Sequence, residues 1–291
     1  MLSWLASYPK SGNTWVRIFL SAYIQDSSPD INKLIGTVSD QLPAAHHIGY
    51  ELDVNDVDPE HSVLTRSMAL LRIAYTFKTH DDRVIDGKVL PLILKTHVAN
   101  VVIHGMRLVP PTLTDKVVLV VRDPRDVVLS YAKHFGYSID KAIDAMLNDQ
   151  IVLSDKSNRE KAPHHTTSWR NHTFLYASAT DLNVTIVQYE QLKEDPIKHF
   201  SWILEWLGIP VDKMRVKRAV VACELSKLRK QEDDKGFLEA SDKTNRFFGK
   251  GKTGGWNSVL TLDQRKRLED GCKDMMIEFG YLEDKQLKLA I

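Results

Sequence analysis

Cysteine is scarce in this chain: the 291 residues include only two, Cys223 and Cys272, far apart and in no C-x-x-C pair. That excludes a disulfide framework and suits a reducing compartment. An excess of either charge is also lacking, with 39 Lys and Arg against 38 Asp and Glu and a formal net charge of +1. Without a basic surplus there is no reason to expect a face spread over nucleic acid or an anionic bilayer, and any polyanion must be met by a local group of cations. Long apolar runs are missing too. Val117–Val121 and Val89–Leu94 are strand-sized, far short of a membrane span. No signal-peptide pattern precedes the first apolar strand, and no repeat, low-complexity tract or linker interrupts the rest of the chain. A hydrophobic share of 43% and a charged share of 26% belong to a globular chain. The expectation is a cytoplasmic enzyme with a single domain over residues 1–291.

What is present alternates between strand and helix patterns. Leu2 to Ser7 is a short apolar strand, followed by a Gly-bearing turn and a helix from Thr14 to Gln25, where Trp15, Ile18, Phe19, Ala22 and Tyr23 fall at helical spacing. A mixed region over 26–88 contains a helical stretch at Ser62–Thr79. Further strands are expected at Val89–Lys95, Lys116–Val121 and Asn183–Gln188. Asp123-Pro124 and Asp195-Pro196 each read as a helix cap followed by the first helical residue. The second of these helices carries the stripe Phe200, Ile203, Leu204, Leu207 and stops at Gly208. Thr261 and Gln264 form a capping box for a last helix running to about Gly280. The alternation predicts an α/β fold: a central, mainly parallel sheet with helices on both faces, in three layers. Ligands of such sheets sit beyond the carboxyl ends of the strands, which puts the chemistry just after residues 7, 95, 121 and 188.

Unusual residues cluster at those places. After the first strand, Tyr8-Pro9-Lys10-Ser11-Gly12-Asn13-Thr14-Trp15 joins a Gly-bearing turn to a helix N-terminus, where unpaired amides and the helix dipole favour an anion. Its plain reading is an ordinary strand-to-helix turn. After the second, Lys95 and His97 share a face, a cation beside a titratable base; a lone pair of this kind is also a common structural feature. After the third, Arg122-Asp123-Pro124-Arg125-Asp126 opens a helix bearing Ser130, and a guanidinium there can grip a phosphate or simply take part in capping. Near the C-terminus, Phe247 to Trp256 is glycine-rich and cationic, either a ligand-closing loop or a solvated one.

Together, in this order, the four segments resemble the cytosolic-type sulfotransferases, which move a sulfuryl group from 3′-phosphoadenosine-5′-phosphosulfate (PAPS) to an acceptor. The resemblance runs from Ser7 to Trp256 and is most specific at Tyr8–Trp15 and Arg122–Tyr131. It implies a P-loop-like fold in which Lys10, Ser11, Gly12, Asn13 and Thr14 hold the 5′-phosphosulfate and Trp15 lies near the adenine. By the same resemblance Arg122 and Ser130 bind the 3′-phosphate, Tyr189 touches the nucleotide, and Lys250 and Gly251 close over it. His97 is then the general base, Lys95 stabilises the transferring group, and Lys10 assists departure of the nucleotide. The acceptor is a small molecule, with segments 36–88 and 134–172 around it and 231–257 as a mobile loop closing on the nucleotide. The aromatics Tyr50, Tyr75, Phe77, Phe135 and Trp169 fall in the acceptor segments. No metal is required, and the pairs His46-His47 and His164-His165 read as structural or acceptor-side residues. Three positions depart from the family pattern. Gly249 stands where an arginine is usual, leaving Arg246 or Lys252 as substitutes, and Cys223-Glu224-Leu225 replaces Thr-Ser-Phe near the adenine. The family's dimer motif retains only its threonine, at Thr261. A nucleotide kinase is the first alternative, but the loop ends Gly12-Asn13-Thr14 with no lysine after the glycine. A non-catalytic nucleotide-binding protein is the second, and the Lys95/His97 pair opposes it.

Overall fold

The structure, a computed structural model, describes residues 1–40, 59–79, 84–153, 164–244, 246–249 and 251–284. Five strands form its central sheet: β1 (Leu2–Ser7), β2 (Thr37–Ser39), β3 (Leu92–Thr96), β4 (Thr114–Val121) and β5 (Val184–Gln188). Their order is β5-β4-β1-β3-β2, and every pairing is parallel. The strand period of two divides each strand between two cores. Leu5, Ile93, Val118 and Val120 face one side, while Leu2, Trp4, Leu92, Leu94, Val117, Leu119 and Val121 face the other. Both faces of a parallel sheet need a cover, and helices supply it.

On the first face lie α1 (Asn13–Gln25), α7 (Pro196–Leu207) and α8 (Lys213–Ala222), numbered in a chain order that also holds α2 (Pro59–Thr79), α3 (Pro124–Phe135), α4 (Ile139–Leu147), α5 (Trp169–Ala177), α6 (Tyr189–Glu194), α9 (Leu225–Lys235), α10 (Leu262–Gly271) and α11 (Lys273–Glu278). Phe19 of α1 stacks on Phe200 of α7 with centroids 3.9 Å apart. The last turn of α1 has no basic residue of its own, and Arg215 of α8 caps it by donating to the carbonyls of Tyr23 at 2.5 Å and Ile24 at 2.7 Å. The second face is covered by α3, α4, α5, α10 and α11 through Val127, Ile143, Trp169, Leu268 and Met276. Each such fully buried aliphatic side chain contributes about 1.5–3 kcal/mol of transfer free energy.

The expected caps are present. Asp123 accepts from the Arg125 amide at 2.9 Å, Asp195 from the Lys198 amide at 3.0 Å, and Thr261 and Gln264 bond reciprocally. Three expectations need correcting. The strand expected at Val89–Lys95 is Leu92–Thr96, because Pro91 cannot donate to a ladder and Val89 instead pairs with Val84 in a two-residue hairpin. Strand β2 was not expected, and it adds the edge beside β3. The last helix divides at Cys272, whose φ of −118° interrupts it between Gly271 and Lys273. With all five strands parallel, the segments after residues 7, 96, 121 and 188 share one rim.

Candidate functional site

The first segment of that rim is Tyr8–Gly12, and it turns tightly. Lys10 has φ +69° and Gly12 φ +108°, and the Ser11 amide donates to the Tyr8 carbonyl at 3.2 Å. Only glycine fits at position 12, since a Cβ there would lie 2.6 Å from Cδ2 of Tyr189. Asn13 turns its side chain inward, donating to the Leu5 carbonyl at 3.1 Å and to Ser7 Oγ at 3.2 Å. It braces the loop against β1, so the donor Asn13 has left at the helix start is its backbone amide. Lys10 Nζ lies 4.0 Å from the centroid of the Phe247 ring. Desolvation, together with the positive Lys133, Arg122 and Lys95, lowers its pKa to about 7 against the opposing pull of Glu239.

At the end of β3 stand Lys95 and His97. His97 Nδ1 is 2.8 Å from the Ser7 carbonyl, which can only accept, so Nδ1 carries the proton and Nε2 keeps the lone pair. Desolvation, then Lys95 and His164, hold this imidazole well below the usual range, while the Ser7 carbonyl and Asp40 oppose them. The imidazole is neutral at physiological pH. His134, at the end of α3, lies within the fields of Lys10 and Lys95, and desolvation takes its pKa down to about 4.

At the start of α3, the Arg122 guanidinium stands 4.5 Å over the Tyr189 ring and 4.0 Å from Asp126. Tyr189, at the start of α6, packs edge-on to Trp15 at 5.7 Å. Ser130 lies half-buried on α3. Glu190 ties the ends of β4 and β5 together, accepting from the Asp123 amide at 3.2 Å and the Tyr281 hydroxyl at 2.8 Å.

The C-terminal loop folds over these groups and is held by residues that sequence reasoning did not single out. Asp126 accepts from the amides of Gly254 at 2.7 Å and Trp256 at 3.2 Å. Glu232 accepts from the amides of Phe247 and Phe248, the latter at 3.0 Å. Arg122 donates to the Lys252 carbonyl at 3.3 Å. The guanidinium nearest the unusual Gly249 belongs to Arg229 of α9, which bonds the carbonyls of Phe248 and Gly249. Arg246 instead pairs with Asp233. Glu239 reaches Arg17 of α1 at 2.7 Å, beside Lys10 and Lys95. None of these contacts leaves a local pattern; the separations run from 13 residues for Arg246–Asp233 to 222 for Arg17–Glu239. Lys250, His46, His47 and Tyr50 lie outside the described residues, as does the Phe77 side chain. Trp169 is buried in the core behind the sheet, and Tyr75 is largely exposed. Gly251 has φ +59° and packs close to Leu225. Among the described residues, no group of three or more His, Cys, Asp or Glu is placed to hold a metal.

The donors fit a phosphate- and sulfate-bearing nucleotide. Ser11 Oγ and Arg122 Nε are buried with no partner among the described residues, Lys10 is a desolvated ammonium, and two helix N-termini face the same rim. A family model described as the sulfotransferase domain matches residues 3–280. The chain belongs to the sulfotransferase family. Cytosolic sulfotransferase 13 of Arabidopsis thaliana is 25% identical over 287 residues, covering 94% of this chain and 76% of the relative. Sulfotransferase 1A1 of Bos taurus is 24% identical over 287 residues, covering 92% and 83%. Among solved structures, the mouse sulfotransferase SULT7A1 complexed with PAP matches this fold with a TM-score of 0.57 at 19% identity, covering 94% of this sulfotransferase and 84% of that chain. Retinol dehydratase in complex with androsterone and inactive cofactor PAP matches with 0.58 at 18%, covering 94% and 80%. No described helix is long and apolar enough to cross a membrane.

Proposed function

We propose that this sulfotransferase moves a sulfuryl group from PAPS to a hydroxyl or amine of a small-molecule acceptor, with His97 as general base. The observation that carries the reading is the meeting of Lys10, Lys95 and His97 at the ends of the paired strands β1 and β3, with His97 Nδ1 tied to Ser7 and Nε2 left as the accepting nitrogen. PAPS, when bound, supplies the electrophilic sulfuryl group and a nucleotide that leaves as the diphosphate. Lys10, the Ser11 hydroxyl and the amides of Gly12 to Thr14 hold its 5′ end, and Arg122 and Ser130 hold its 3′-phosphate. Trp15 and Tyr189 bound the base, while Lys250 and Gly251 complete the closure. Of the expected closing loop over 231–257, residues 231–235 are the end of α9, and the stretch after them acts as the lid, with Arg229 of α9 fixing its Gly249 carbonyl. About four negative charges on the nucleotide call for this many local cations.

His97 Nε2 takes the acceptor proton as the acceptor oxygen or nitrogen attacks. Lys95 stabilises the group in transit, and Lys10 meets the charge building on the departing oxygen. Fixed cations and amides perform this without a metal. The acceptor enters between segments 36–88 and 134–172, and the enzyme works in the cytoplasm as one domain with no nucleic-acid partner.

Calorimetric titration with 3′,5′-diphosphoadenosine (PAP), followed by transfer from labelled PAPS to a panel of alcohols, phenols and amines, tests the reading. Micromolar binding and transfer to at least one acceptor are expected. His97→Ala should bind PAP as wild type does and lose about 10²–10⁴-fold in transfer. Absence of PAP binding overturns the assignment, and a His97→Ala protein with wild-type transfer overturns the base.

A further inference from the structure

Behind His97 lies a buried ionic group that the transfer chemistry does not use. Asp40 follows strand β2, and its side chain is fully buried. Its Oδ2 accepts from Arg66 Nη2 of α2 at 2.8 Å, and its Oδ1 faces His164 Nε2 at 3.0 Å. Arg66 is itself anchored, donating from Nε to the Leu108 carbonyl at 3.1 Å. Against the desolvation that opposes it, Arg66 and His164 hold the Asp40 carboxyl far below the usual range, so it is ionised and can only accept. His164 Nε2 therefore carries the proton, and both its tautomer and the plane of its ring are set. That ring stands edge-on to His97, with centroids 5.9 Å apart and planes at 78°. The backbone closes the same unit: the Asp40 amide donates to the Lys95 carbonyl at 3.1 Å, and the Ala99 amide donates to the His165 carbonyl at 2.8 Å.

We propose that Asp40 and His164 are positioning residues for His97, the anchored carboxylate fixing the His164 ring and that ring fixing the plane in which His97 offers Nε2 to the acceptor. This rests on His97 being the base. The Ser7 bond alone leaves the His97 ring able to pivot about Nδ1; the edge of His164 removes that freedom. A buried carboxylate held by an arginine, a histidine and the Thr96 hydroxyl would be costly as mere core packing, since desolvating an ion pair often outweighs its attraction.

The groups facing His97 are Lys95 on its own strand, Ser7 on β1, His164 on the two-residue ladder with Leu153, and Asp40 after β2, with His172 of α5 packed nearby. Two of them act with opposite sign. Asp40→Asn removes a negative charge that favours protonated His97, so the acid limb of the rate profile moves to lower pH. His164→Gln keeps a donor for Asp40 but removes a ring whose charged form disfavours protonated His97, so the limb moves to higher pH.

The experiment uses the full chain. Asp40→Asn and His164→Gln are compared with wild type by steady-state kinetics, PAP calorimetry and long-range ¹⁵N spectra of labelled histidine, with His97 assigned from His97→Ala. Wild type should show His97 with its proton on Nδ1. Each variant should lose about ten- to a hundredfold in kcat with the PAP Kd unchanged. The two His97 nitrogen signals should draw together as the ring gains freedom. If Asp40→Asn fails to fold because Arg66 is left unpaired, His164→Gln decides. A folded variant with kcat within twofold of wild type and unchanged His97 signals overturns the proposal, and so does a loss of kcat matched by loss of PAP affinity. If wild type neither binds PAP nor transfers, it is the proposed function that fails. The His97 tautomer and its response to the two substitutions still decide the positioning.

Discussion

Lys10 is held in two unfavourable ways at once: its backbone is left-handed at φ +69°, and its ammonium is desolvated against Phe247. Its pKa near 7 makes anion binding a proton-uptake reaction, because an anion beside it restores the charged form. At pH 8, PAP binding should take up close to one proton, read by calorimetry in buffers of different ionisation enthalpy, and affinity should weaken as pH rises above about 7. In Lys10→Met the uptake should vanish; buffer-independent heats in wild type would contradict this account. For the unligated protein the sign is reversed. Between about 7 and the ordinary lysine value of 10.5 the unfolded chain holds the proton that the folded one has lost, so this group makes stability rise with pH across that window. Gly12 offers a steric test. Gly12→Ala combines φ +108° with a 2.6 Å approach to Tyr189 and should cost about 1–3 kcal/mol in denaturant titrations. Adding Tyr189→Leu should recover the contact part and leave the backbone part. At this scale the sequence showed which residues gather but not which way each side chain turns. Asn13 reads as a phosphate donor, yet its amide is committed to Leu5 and Ser7, and an asparagine at a helix start is equally suited to either task.

Among the elements, the C-terminal loop depends on two carboxylates from different helices. Asp126→Ala would leave the amides of Gly254 and Trp256 without their acceptor, at a cost of about 1–3 kcal/mol each where they stay buried. Faster hydrogen exchange at those two amides, quicker proteolysis within 246–256 and roughly tenfold faster PAP release are expected. Unchanged exchange would mean that Glu232, Arg229 and Arg122 hold the loop without Asp126. Strand β4 was readable because its run of valines and leucine suits a strand covered on both faces. Strand β2 was not, since Thr37-Val38-Ser39 is three residues with one apolar side chain, and only its pairing with Ile93 to Lys95 makes it a strand. Arg229, Glu239 and Arg66 escaped for a related reason: their partners lie in other elements, and nothing near them in sequence marks the contact.

For the whole molecule, the net charge of +1 gave no hint of the site, because the cations that meet at the rim are balanced elsewhere on the surface. PAP should therefore stabilise the fold well beyond what a neutral nucleoside does, by about 2.7 kcal/mol at a hundredfold excess over Kd, read as a concentration-dependent rise in Tm. Adenosine at the same concentration should leave Tm nearly unchanged. The layered architecture was legible from alternation alone, whereas the C-terminal loop contacts and the Asp40–His164 pair needed the fold to bring distant residues together. The sheet order carries a consequence for biosynthesis. Strand β1, made before its partners, is the middle strand of the finished sheet, and its neighbours are built from residues 92–96 and 114–121. At about 5–20 residues per second, Leu2–Ser7 is synthesised about 4 to 18 seconds before its nearer partner, Leu92–Thr96, is complete. Through that interval an apolar segment with both hydrogen-bonding edges open must avoid other chains, so the nascent protein should lean on chaperones far more than its ordinary composition suggests.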